Sequence, residues 1–184
     1  FALELIKKKE TQDRGFRFCL GRLEKIALCK EMKRSFDFSK ITDAIIKELI
    51  HQPFSSDKLI RYLKCINLTS KQLSRILSIV TNESKNIYSW QCYHIWQLFV
   101  FHNYINPELI NFAKTIISTR TKYPPPNIAG AVLYLGSCGS MDDKIYIAKK
   151  FKTFKSYLIQ RNAMIATHEL KYKQYAKPLI KNYV

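Results

Sequence analysis

The chain has 184 residues, with 31 Lys and Arg against 14 Asp and Glu, a formal net charge of +17 at pH 7, and 47% hydrophobic residues. That apolar content supports a packed core and excludes wholesale disorder, while five Gly and six Pro among long charged-apolar alternations predict an all-α chain. Packing does not require such an excess of cations, so the charge implies a polyanionic partner, nucleic acid ahead of an anionic membrane.

Phe1 to Ile6 reads as the tail of a preceding element, and with no initiator Met the chain is expected to be a fragment of a longer polypeptide. Arg14 to Arg34 places Phe16, Leu20, Leu23, Ala27 and Leu28 on one helical face and Arg14, Arg17, Arg22, Lys25, Lys30, Lys33 and Arg34 around it. Calmodulin targets and membrane-surface helices share this pattern, but a helix packed on its neighbour with a solvated rim accounts for it. Residues 1–38 form a basic amino-terminal lead-in.

Three short helices follow in 39–86, read as irregular helical hairpins. Ser39 opens the first, which buries Ile41, Ile45, Ile46 and Leu49 and stops at Gln52-Pro53. Ser55 or Ser56 opens the second, with Leu59, Ile60, Leu63 and Ile66 inside. Thr69 or Ser70 opens the third, Lys71 to Val80, with Leu73, Ile76, Leu77 and Val80 inside. Asn82 to Asn86 is a polar break.

Residues 87–184 read as helical repeats. Ile87 to His102 is the most aromatic helix, and Asn106-Pro107 opens another, Pro107 to Ser118, with Leu109, Ile110, Ala113, Ile116 and Ile117 inward. Arg120 and Lys122 lead into Pro124, Pro125 and Pro126, which position the next pair. In that pair Ile128, Val132 and Leu135 form a stripe, and Ala129, Gly130 and Ala131 permit close backbone approach. Gly136 and Gly139 are expected to supply positive-φ positions at its turn. Asp142 and Asp143 suit the start of the following helix, whose apolar segment holds Ile145, Ile147 and Ala148. Asn162 to Ala166 overlays Gly130 to Tyr134, with Phe99, Leu133 and Ile165 as apolar equivalents and Ala113 matching Ala148. This predicts tandem pairs at about 88–119, 124–153 and from 156: a right-handed α-solenoid of antiparallel helical hairpins.

The run Asn127-Ile128-Ala129-Gly130-Ala131-Val132-Leu133-Tyr134-Leu135-Gly136-Ser137-Cys138-Gly139, followed by Asp142-Asp143 and a second apolar helix, resembles a HEAT-type repeat over 124–168. The chain also resembles the carboxy-terminal helical domain of bacterial abortive-infection (defence-type) reverse transcriptases, on Arg14-Gly15-Phe16-Arg17-Phe18 opening a basic helix ahead of a helical array. That resemblance implies an antiviral-defence accessory domain following a polymerase, with no catalytic carboxylates in this stretch. Asp142-Asp143 lacks the preceding strand and aromatic of a polymerase pair.

Side chains with chemical potential are weighed against structural roles. Helix capping explains Asp142 and Asp143 better than acid-base work. His51, His94, His102 and His168 have no mutual spacing that makes a metal face. Cys19, Cys29, Cys65, Cys92 and Cys138 are scattered, with no CxxC, and read as buried free thiols of a cytoplasmic protein. No signal peptide or membrane span is visible; the apolar run Ile95 to Phe101 is short and broken by Gln97. Asn67-Leu68-Thr69 and Asn82-Glu83-Ser84 match the glycosylation sequon and carry no weight without a secretory signal. Trp90, Tyr93, Trp96 and Phe99 could stack unpaired bases, with Tyr88, Tyr93 and Tyr104 at an exposed edge, although helical spacing favours the core.

The basic residues carry the functional expectation. Arg120, Lys122, Lys144, Lys149, Lys150, Lys152, Lys155, Arg161, Lys171 and Lys173 are the candidate nucleic-acid contacts. Links at equal repeat positions would align Arg120, Lys122, Lys152, Lys155 and Lys173 along one edge. The expected function is non-catalytic binding of RNA or DNA, without cofactor or metal, as an accessory domain of a larger nucleic-acid enzyme. The alternative is a protein-interaction or oligomerisation scaffold, through self-association or an upstream catalytic domain. A third is a HEAT-like DNA glycosylase, disfavoured because Tyr88 to Asn103 contains no Asp or Glu.

Overall fold

The computed structural model describes residues 39–49, 56–83, 89–168 and Leu170. The described part is all-α, with eight α-helices and no strand. These are α1 (Ser39–Glu48), α2 (Ser56–Cys65), α3 (Ser70–Glu83), α4 (Ser89–Phe101), α5 (Pro107–Ser118), α6 (Pro125–Cys138), α7 (Met141–Lys150) and α8 (Tyr157–Thr167). None of the described helices is long and apolar enough to cross a membrane. The 1–38 lead-in, His51, Tyr88, Lys171 and Lys173 lie outside the described residues. The chain divides into two compact units, Phe1–His94 and Ile95–Val184, with the division falling within α4.

In the first unit the apolar sets read from helical spacing are all buried: Ile41, Ile45, Ile46 and Leu49; Leu59, Ile60, Leu63 and Ile66; Leu73, Ile76, Leu77 and Val80. A reciprocal cap starts α3. The Gln72 N–H donates to the Thr69 hydroxyl at 3.2 Å, and the Thr69 N–H donates to the Gln72 side-chain oxygen at 3.0 Å. That helix continues through Asn82 to Glu83, so the first residues of the polar stretch prolong it. Buried polar groups find partners here: the Thr42 and Tyr62 hydroxyls pair, and the Gln91 amide donates to the Leu49 carbonyl.

The second unit is built around α6. Pro125 and Pro126 occupy its first turn, where a missing N–H costs nothing. Ten of its fourteen residues are buried, including Asn127, Gly130, Tyr134 and Gly136, as befits a helix covered on nearly every side. Its most extensive partner is α8, then α5, while α7 packs on both α6 and α8. Residue pairings set the directions. Trp96 meets Asn127 and Gly130, and Phe99 meets Tyr134, so α4 and α6 run the same way. Ala129 meets Asn162, and Gly136 meets Ala166, so α6 and α8 also run the same way. Tyr134 bonds to Tyr104 and Asn106 at the opening of α5, which therefore returns antiparallel. Packed this way the helices form a bundle about α6.

The expectation of positive-φ glycines is corrected. No glycine among the described residues has positive φ. Gly136 lies inside α6, and Gly139 is extended at φ −82°, ψ 172°. They are needed for closeness: a Cβ on Gly136 would collide with Ala166, and one on Gly139 with the Leu135 carbonyl and the Asp143 side chain. The left-handed position falls instead on Asn103, φ 48°, in the turn between α4 and α5. The three overlaid apolar positions differ in burial: Phe99 is fully buried, Leu133 half-buried and Ile165 46% exposed.

Candidate functional site

Two connections in the second unit share one shape. After α5 the chain makes a 3-10 turn, Arg120–Lys122, then an extended aromatic residue, Tyr123 (φ −125°, ψ 144°), before Pro124 opens α6. After α7 it makes a 3-10 turn, Phe151–Thr153, then an extended aromatic, Phe154 (φ −84°, ψ 117°), before Ser156 opens α8. Because α6 and α8 run side by side in the same direction, the links ahead of them meet. Where they meet there is a cavity of about 350 Å³. Arg120, Thr121, Tyr123 and Pro125 line it from the first link, and Thr153, Phe154, Lys155 and Ser156 from the second. Ile128 of α6 and Ile159 of α8 form its floor.

The charge here is one-sided. From Ile95 to His168 the acidic residues are Glu108, Asp142 and Asp143, against Lys114, Arg120, Lys122, Lys144, Lys149, Lys150, Lys152, Lys155 and Arg161. Asp143 is committed to structure. It is 3% exposed, closes a capping box with Ser140, and accepts an ion pair from Lys114 at 2.6 Å. Burial opposes its ionisation, yet the hydrogen bonds from Lys114 and from the Ser140 N–H and hydroxyl, with the Lys114 charge, outweigh burial and hold the carboxyl below its ordinary range. Among the described residues Arg120, Lys122, Lys149, Lys150, Lys152, Lys155 and Arg161 make no ion pair.

The expected contacts fall into groups. Arg120, half-buried, and Lys155, exposed, both line the cavity, one from each link. Lys150 lies 5.9 Å from the centre of the Tyr146 ring. Burial raises the phenol pKa of Tyr146, while the charges of Lys114 and Arg120 act to lower it, so these cations gather around one ring between α5 and α7. Lys122, Lys149, Lys152 and Arg161 are exposed, and Lys144 is half-buried in the first half of α7. Lys114, Tyr123 and Phe154 were not singled out by sequence. The spacing of two aromatics, each following a Thr-and-Lys turn just before a helix start, was the signal for the last two.

The aromatic helix is core. Trp96 and Phe99 are fully buried and Tyr93 is 9% exposed, while Trp90 at 44% and Phe101 at 60%, toward the two ends of the helix, are open. The Trp96 ring stacks on Phe112 and donates its N–H to the Asn127 side-chain oxygen at 2.7 Å. A base-stacking platform on this helix is therefore ruled out for Trp96 and Phe99. Burial pushes the Cys92 thiol up to about 12 and the Cys138 thiol up to about 11, leaving both protonated and weakly reactive at neutral pH. No group of three or more His, Cys, Asp or Glu among the described residues could hold a metal ion.

Comparison of the chain with protein-family models, with curated proteins and with solved structures finds no match in any of the three.

Proposed function

We propose that the second unit is a non-catalytic nucleic-acid-binding module whose basic links hold the phosphate backbone. The observation that carries this reading is the pair of like-shaped links that bring cations without carboxylate partners, Arg120 and Lys155, to the lining of one cavity, with Lys152 on the second turn and Lys150 just ahead of it. Lysines and arginines free of carboxylate partners keep their charge available to phosphates, which give affinity without asking for sequence. In this reading α4, α6 and α8 are successive first helices of a short HEAT-like array, and α5 and α7 are the returning ones. The asparagine hydrogen bonds joining the first helices, Trp96 to Asn127 and Asn162 to Ala129, span 31 and 33 residues, a spacing in keeping with such an array. The resemblance to the helical domain of defence-type reverse transcriptases makes an accessory role beside a polymerase the natural setting.

Replacing Lys149, Lys150, Lys152 and Lys155 by Glu is expected to abolish retention on immobilised RNA and DNA while leaving the helical circular dichroism intact. Undiminished retention by a folded variant would remove the proposal. Retention that resists high salt and ignores added RNA would favour a protein-interaction scaffold instead.

A further inference from the structure

Phosphate contacts alone would be met by a flat basic surface, yet the link edge is indented. The cavity is at the small end of ligand-pocket sizes, roughly 300–1,000 Å³, too small for a duplex and suited to one planar group with its attached phosphate. Its floor is apolar, made by Ile128, Ile159 and Phe154, each less than 5% exposed. Tyr123, half-buried, supplies an aromatic ring to the lining. Its polar lining is Arg120, Lys155 and the hydroxyls of Thr121, Thr153 and Ser156, of which the Thr153 hydroxyl already donates to the Lys150 carbonyl at 2.6 Å. Ser156, by contrast, makes no capping bond to the first turn of α8, so that hydroxyl is available. An apolar slot with an aromatic wall and two cations at its mouth matches a base joined to a phosphodiester.

We infer that this cavity receives a single unpaired base of a nucleic-acid strand, the base between Tyr123 and the isoleucine floor and its phosphate between Arg120 and Lys155. The inference rests on the nucleic-acid reading above and adds strand selectivity to it: a duplex keeps its bases stacked and can use the rim cations only. Dissociation constants of the full chain for a labelled single-stranded oligonucleotide and for the same sequence as a duplex test it. A 2-aminopurine in the single strand reports on base environment. Wild-type protein is expected to favour the single strand and to change the probe's fluorescence. Thr121→Trp places an indole in the cavity from an exposed position, and is expected to lower the single-strand preference about tenfold. Tyr123→Ala is expected to act in the same direction, so one poorly folded variant would not decide the matter.

Equal binding of single strand and duplex by wild type overturns the inference. So does an unchanged preference in both variants. If the lysine-to-glutamate variant still loses both ligands in either case, the basic edge stands and only the base pocket falls. If wild-type protein binds neither ligand, both readings fall together.

Discussion

Asn127 is fully buried and does two unequal things. Its side-chain oxygen accepts the Trp96 indole N–H at 2.7 Å, while its side-chain nitrogen is the one buried side-chain polar atom among the described residues with no partner. Removing the acceptor strands the indole N–H, and a buried donor left unmet costs about 1–3 kcal/mol. Asn127→Ala is therefore expected to lower stability by that order in chemical denaturation, despite also removing the orphan nitrogen. Gly130 faces the same indole: a Cβ there would come within 2.5 Å of the Trp96 ring. Gly130→Ala is expected to cost about 1–3 kcal/mol by overpacking. At Asp143 the effect has a pH sign. A carboxyl held below its ordinary value of 3.8 adds stability that is full above that value and is lost as pH falls through the lower folded value. An Asp143→Asn variant should thus be less stable than wild type at pH 7, with the gap closing only below about pH 4. Denaturation midpoints over that range check it, and a gap independent of pH would contradict it.

At the scale of elements, local chemistry announced most of the helices. Asn106-Pro107 marked the start of α5, where the Asn106 side chain accepts the Leu109 N–H at 3.1 Å. Spacing alone picked out the buried faces of α1 to α3. What escaped was tertiary. A glycine in a sequence does not reveal whether it serves a left-handed turn or a close approach, and Gly136 and Gly139 proved to be close approaches. Nor does an aromatic run reveal which rings face a neighbour, for α4 is apolar around most of its circumference and Trp96 and Phe99 are enclosed. The cations of the links were legible as residues. Their meeting at a cavity was not, because it depends on α6 and α8 lying side by side in the same direction. The capping box of α7 gives a test at this scale: Ser140→Ala should lower the melting temperature through the loss of about 1 kcal/mol. An unchanged melting temperature would show that the Lys114 contact alone orders this helix start.

For the whole molecule, a net charge of +17 is the property a partner meets first. Mutual repulsion among so many cations works against the compact state, and a polyanion relieves it. Binding of nucleic acid is accordingly expected to raise the melting temperature, by an amount that shrinks as salt is added.

The most direct measurement is the salt dependence of nucleic-acid affinity for wild type and for the variant carrying Glu at Lys149, Lys150, Lys152 and Lys155. Wild-type affinity should fall steeply and linearly on logarithmic axes, and on a duplex the slope should flatten by about 0.9 for every phosphate that is no longer neutralised. A variant with the wild-type slope and affinity would contradict the assignment of these cations to a phosphate backbone.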